Sequence, residues 1–307
     1  ALERRAAERA ADLAAGGRAR GGVGVSRWPE NRRAAVSVTF DNLGEAAEIE
    51  LGLRGADEPR GGHWSVTNAL PIVLEELHEA GLPATFFVEG VNAEIYPDAL
   101  AGIAAAGHEV GFHAWCHEDW SRLTAADEAD NLDRGLVALR GLGLDVCGFR
   151  PPGGLIGSET PALLATRGVR YCSPAGRAPG LDGGVAVLPF AWPAVDVFHV
   201  LPQFAALRAH VGGSDEPGDA DAVRAALLDA IEQAVDGGGH AVLVLHTWMV
   251  EGVRDALRDV LARCAAGAAS GELWVSRCDA VGEWVADRQG DFAAPVVLDR
   301  TSWVDPG

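Results

Sequence analysis

About eight short apolar runs alternate with helical periods of roughly ten to fifteen residues, and this alternation constrains the fold more than any other feature of the chain. The runs cover residues 34–40, 84–88, 108–112, 146–149, 169–172, 185–188, 241–245 and 273–275. They are short, rich in Val, Phe and Leu, and bounded by Gly, Pro or charged residues, as strands buried on both faces are. Between them, residues 67–80, 97–106, 124–141, 158–166, 220–235, 253–264 and 279–286 read as helices. In the first, Leu70, Val73, Leu74 and Leu77 fall at helical spacing. Gly107 stops the second, and Thr124 with Asp127 three residues on starts the third, although Glu or Gln is the usual partner in such a cap. A strand–helix–strand repeat packs its helices outside a parallel sheet, so the expectation is an α/β fold built from βαβ units.

A parallel sheet collects functional side chains at the C-terminal ends of its strands. Five polar residues stand there: Asp41, His113, His117, Arg150 and His246. His113 and His117 are four apart, the spacing that one helical turn brings onto a single face, so both imidazoles could reach one metal ion. A water on such a metal becomes a nucleophile near neutral pH. Asp41, in TFDN, is a candidate metal ligand or general base, or a loop-starting Asp bonded to local backbone. Glu45 is close enough in sequence to be a second oxygen ligand. Arg150 sits in GFRPPGG, where Pro151 and Pro152 stiffen the turn and the guanidinium offers a planar fork to a carboxylate. His246 follows the most apolar strand, in VLVLHTW, and could protonate a leaving amine. Trp64, Trp115, Trp192 and Trp248 fall near strand ends, either as walls of a substrate site or as core.

The rest of the composition narrows the partners. Lys and Arg number 25 against 44 Asp and Glu, a net charge of −19, which argues against nucleic acid or an anionic membrane surface. The five cysteines, Cys116, Cys147, Cys172, Cys264 and Cys278, are scattered without a CxxC, the pattern of buried thiols in a reducing compartment. Residues 1–15 read as an amphipathic Ala/Arg/Glu helix without an apolar signal core, and no run reaches the ~18 apolar residues of a membrane span, so the expected location is the cytoplasm. The expected organisation is an N-terminal helix and connector over 1–33, a catalytic unit over 34–290 and a tail over 291–307, with residues 202–221 a mobile insertion.

Read in order, TFDN, HAWCH, RPPGG and VLVLH resemble the four motifs of the polysaccharide deacetylases of the NodB-homology type, carbohydrate esterase family 4, over roughly residues 34–287. That resemblance implies a distorted (β/α) barrel of about seven parallel strands. It implies Asp41 as catalytic base, Arg150 as the residue orienting it, His246 as general acid, and Asn42, His113 and His117 as ligands of zinc or another divalent metal. Trp64, Trp115, Pro152, Trp192 and Trp248 are the expected substrate contacts. The implied reaction is hydrolysis of a small or sugar-like N-acyl amide, by a homo-oligomer (dimer or tetramer). Two departures stand out. Asn42 occupies the place of an Asp ligand, so Asn42 binds weakly, Asp41 or Glu45 substitutes, or the site works without metal. The segment 188–196, LPFAWPAVD, is similar to a branch that includes metal-independent allantoinases, which implies ring opening of an allantoin or cyclic imide as an alternative. A member that binds a ligand without turning it over is the reading from another class.

Overall fold

The computed structural model describes residues 26–55 and 57–301, so the helix expected over residues 1–15 and the last six residues of the tail lie outside it. Eight strands run parallel in one curled sheet, and seven of them form its frame: β1 (Ala34–Asp41), β2 (Thr85–Val88), β3 (Glu109–Phe112), β4 (Gly148–Phe149), β5 (Tyr171–Cys172), β8 (Val185–Val187) and β9 (His240–His246). Their spatial order is β9-β1-β2-β3-β4-β5-β8. A single bridge, Val195 to Val244, brings the chain beyond β8 back against β9, so the sheet curls into the distorted α/β barrel that the family resemblance implies.

The remaining strands trim this frame. β10 (Leu273–Val275) lies parallel to the first half of β1, with Ala34 opposite Leu273. β7 (Gly180–Asp182) returns antiparallel beside β8, and β6 (Gly176–Arg177) pairs antiparallel with β11 (Val297–Leu298). β10 is the run expected at 273–275, whereas β6, β7 and β11 carry no long apolar run, which is why the apolar pattern does not show them.

All eight residues of β1 are buried, because helices cover its outer face and the curled sheet encloses its inner one. The outer core packs Val36, Val38 and Phe40 against helical residues such as Val73, Leu77, Leu227 and Leu257. The inner core stacks Ala35, Phe87, Cys147 and Tyr171 above Val281 and Val285 of the helix Cys278–Asp287, which plugs the N-terminal end of the barrel. Trp28 and Phe292 join that plug, with ring centroids 5.3 Å apart.

Several boundaries move from their expected places for local reasons. The helix Ala125–Gly141 starts from a reciprocal cap in which Asp127 does what Glu or Gln usually does. The helix expected at 253–264 runs Val250–Ser270, because the Ala-rich stretch after Cys264 continues it until Gly271 takes a left-handed conformation. The segment expected as a mobile insertion instead holds the helix Ala205–His210. Buried Arg208 pins it by donating to the carbonyls of Phe198, Leu201, Ser214 and Asp215. All five cysteines are buried and free. Among the described residues no helix is long and apolar enough to cross a membrane.

Candidate active site

Parallel register fixes the centre of the site. Asp41, the last residue of β1, lies opposite His246 of β9 on one side and Phe87 of β2 on the other. The Arg150 guanidinium donates to Asp41 Oδ1 at 2.7 Å, to Thr39 Oγ1 at 2.7 Å and to Ser173 Oγ at 2.9 Å, and lies 4.2 Å from the centre of the Phe87 ring. Arg150 is 1 % exposed, so this pairing is a buried, charge-assisted clamp on one carboxylate oxygen.

Arg150 also works through its backbone. Its N–H donates to the Phe112 carbonyl, and its own carbonyl accepts a hydrogen bond from His113 Nδ1 at 2.8 Å. A carbonyl oxygen only accepts, so Nδ1 carries the proton and the Nε2 lone pair is left for a ligand. Burial, with the Arg150 charge beside it, pushes the His113 imidazolium down to about 3; burial and the neighbouring His113 and His246 push His117 down to about 3 as well. Both rings are neutral in the physiological range and available as metal ligands.

The two imidazoles do not meet on a helical turn. Residues 113–118 form an irregular loop in which Ala114 and His117 adopt positive φ (63° and 74°), and this backbone path brings the rings to 5.1 Å between centroids. Asn42 is also left-handed, at φ 59°, a conformation that Asn tolerates better than most residues. Its Oδ1 is buried without a hydrogen-bond partner. A buried carbonyl oxygen lacking a donor and two neutral imidazoles suit a divalent first-row cation, with Asn42 as the weak, uncharged member. Among the described residues no three His, Cys, Asp or Glu side chains converge on one point, so the set depends on Asn42.

His246 is held by a residue that the motifs do not single out. Asp196 Oδ1 lies 2.6 Å from His246 Nδ1, and Asp196 Oδ2 accepts the His246 backbone N–H at 2.7 Å. Burial pulls the imidazolium down, but the Asp196 charge and hydrogen bond, with the Asp41 charge, more than offset it and the net shift is upward. Nε2 is then the nitrogen left for substrate, on a ring that holds its proton to higher pH than usual. The segment 188–196 carried a signal for Asp196, but nothing in it marks an Asp as partner to a histidine fifty residues on.

These residues open onto a cleft of about 520 Å³. Trp64, Trp192 and Trp248 line it with Asp41, Asn42, His113, His117, Arg150 and His246. Two of the expected contacts and the alternative ligand are placed elsewhere. Trp115 packs with Ala46, Val91 and Cys116 behind the histidine loop, its ring under Arg134 at 3.5 Å. Pro152 is buried in its turn, while Pro151, Gly153 and Gly154 reach the cleft. Glu45 is fully buried and bonded to the Tyr96 hydroxyl and to the Gly61 N–H at 2.9 Å, so it braces the loop after β1 and does not reach the histidines. Cys116 donates to the Ala46 carbonyl, and burial pushes its thiol up to about 12, which leaves it unreactive. Glu48, His63 and Phe204, all on the lining, were not legible in the sequence because no motif or strand end contains them.

A profile of the family Polysaccharide deacetylase matches residues 30–172, the part of the chain that carries Asp41, Asn42, both histidines and Arg150. Residues 30–172 thus carry the signature of the polysaccharide deacetylase family. It is 32 % identical over 103 residues to the peptidoglycan deacetylase of Helicobacter pylori, covering 33 % of this chain and 35 % of that one. It is 44 % identical over 97 residues to a chitooligosaccharide deacetylase of Rhizobium leguminosarum, covering 31 % and 40 %. The chain thus spans well under half the length of these curated relatives. Among solved structures, a Mycobacterium smegmatis protein described as a polysaccharide deacetylase superposes with a TM-score of 0.74 at 28 % identity, covering 90 % of this chain and 96 % of that one. An allantoinase shares the fold, with a TM-score of 0.66 at 18 % identity, covering 86 % and 94 %.

Proposed function

We propose that this deacetylase-family chain hydrolyses a non-peptide amide C–N bond and acts as a metal-assisted N-deacetylase. The observation that carries the reading is the pairing of two acid–base units at one cleft: Asp41 clamped by Arg150, and His246 held by Asp196. Asn42, His113 and His117 would hold a zinc or similar divalent ion. When bound, such an ion supplies Lewis-acid polarisation of the amide carbonyl.

The chain's own groups account for the proton traffic. Arg150 occupies Asp41 Oδ1, which fixes the carboxylate plane and leaves Oδ2 to take a proton from the attacking water. The water oxygen joins the acyl carbon, and the C–N bond breaks. His246 delivers the proton from Nε2 to the departing nitrogen, and Asp196 stabilises the imidazolium beforehand and fixes its ring. Products are a carboxylic acid and an amine.

Metal analysis of the purified chain and assay of N-acetyl substrates test this. Asp41→Asn, which keeps an acceptor for Arg150 but loses the base, should lower kcat by about 10²–10⁴-fold. Full activity in Asp41→Asn would overturn the assignment. A second reading, metal-independent opening of a cyclic imide or allantoin, is favoured by one observation, the uncharged Asn42 at the third ligand position. Turnover that survives exhaustive chelation would select it. Turnover of any amide excludes a purely ligand-binding role.

A further inference from the structure

We propose that the cleft selects a small amide with an apolar body, and not a polyhydroxylated sugar chain; the substrate class rests on the hydrolase reading above. Its inner wall is a buried apolar cluster in which Trp192, Val197, Phe204 and Val244 pack together. The opposite rim is apolar too, and it is exposed. Leu51, Leu53 and Trp64 are 67 %, 73 % and 37 % exposed, and they are three of the seven large hydrophobic residues exposed among the described residues. All three line the cleft. Scattered exposed apolar residues need no explanation, but three on the rim of one cavity, facing an apolar wall, mark a surface that a ligand covers.

The polar groups tell the same story. Outside the acid–base and metal-ligand set, the charged or hydrogen-bonding side chains on the lining are Glu48, His63, Gln203 and the indole N–H groups of Trp64, Trp192 and Trp248. Two of these are already engaged. Glu48 accepts from Arg54 Nε at 3.0 Å and pairs with His63 Nε2 at 3.3 Å, while His63 Nδ1 bonds Ser65 Oγ at 2.7 Å. That leaves Gln203 and three indole N–H donors, of which the Trp192 N–H is buried and has no acceptor among the described residues, and no charged side chain. A sugar ring brings several hydroxyls, and each one buried without a partner is unfavourable. An aromatic or aliphatic body leaves fewer groups unpaired there than a sugar ring does.

The test compares N-benzylacetamide with tri-N-acetylchitotriose on the full chain. Binding is read by titration calorimetry on His246→Gln, so that turnover does not intervene, and hydrolysis is read separately on the unaltered protein with zinc. N-benzylacetamide should bind at least about tenfold tighter than the trisaccharide. Trp64→Ala, at an exposed rim position outside the buried core clusters, should weaken N-benzylacetamide about tenfold and leave the trisaccharide unchanged. Tighter binding of the sugar, no binding of either probe, or an equal loss for both in Trp64→Ala overturns the proposal. Apolar preference in binding with no turnover of any amide would instead overturn the hydrolase reading and leave the selectivity of the cleft standing. Preferred turnover of the sugar would do the reverse.

Discussion

Arg150 shows how much one residue decides at this site. Its side chain clamps Asp41, the proposed base, and its backbone carbonyl sets the tautomer of a candidate ligand, so the RPPGG turn that stiffens it would orient both halves of the proposed chemistry. Asp196 plays the corresponding part for His246, and it is testable through pH. In the proposed reaction the acid form of His246 is the active one, so activity should be lost as pH rises through its folded value. Asp196→Asn removes the charge that holds that value up. The alkaline limb of kcat should therefore shift to lower pH, with kcat at pH 8 falling by about 10–100-fold. An unmoved limb would show that Asp196 serves packing alone. Asn42 is the second residue with a measurable consequence. Asn42→Asp adds a charged oxygen beside two neutral imidazoles, so zinc affinity, measured by competition with a chromogenic chelator, should rise by about tenfold or more. Asp41, His113, His117, Arg150 and His246 were legible because each ends an apolar run inside a motif. Asp196 was not, because its partner lies fifty residues along the chain and the two meet where Val195 bridges Val244.

At the scale of elements, two glycines of one helix respond oppositely to the same change. In Ala125–Gly141, a Cβ on Gly135 would stand 2.1 Å from the Phe112 ring, whereas nothing lies within 4 Å of one on Gly141. Helix propensity favours Ala at both by about 1 kcal/mol. Gly135→Ala should nevertheless destabilise by roughly 1–3 kcal/mol through overpacking, and Gly141→Ala should be neutral or stabilising, as thermal unfolding would record. The inner end of β3 offers a second case. Glu109 is buried and accepts from the Thr85 hydroxyl, the Tyr171 hydroxyl and the Asp279 N–H, tying β2, β3, β5 and the plug helix together. Burial, then the Asp279 charge, raise its carboxyl from 4.5 to about 7. Between those values the folded state holds a proton that the unfolded state has lost, so its contribution is greatest in acid and declines as pH rises through that window. Glu109→Gln should flatten the fall in melting temperature between about pH 5 and pH 7; an unchanged slope would remove Glu109 as its source.

For the whole molecule, the net charge of −19 sets the response to salt. Exposed carboxylates repel one another at low ionic strength, and raising sodium chloride from about 20 to about 300 mM shortens the screening length several-fold. The melting temperature should rise by a few degrees; a fall would mean that surface ion pairs such as Arg167–Asp133 and Arg263–Glu232 outweigh the net repulsion.

The sequence by itself determined the strand–helix alternation, the parallel sheet that follows from it, and the strand ends where the five chemical residues stand. Those are local properties: apolar runs, glycine stops and motif spacing act over a few residues, and they survive in any compact arrangement. Tertiary structure alone decided the rest. It decided that His113 and His117 meet through a left-handed loop, that Asp196 reaches His246, that Glu45 and Trp115 turn to structural work, and that Leu51, Leu53 and Trp64 face an apolar wall. Each depends on which distant segments share a surface, and that is set by the register and curl of the sheet, which no short stretch of chain encodes.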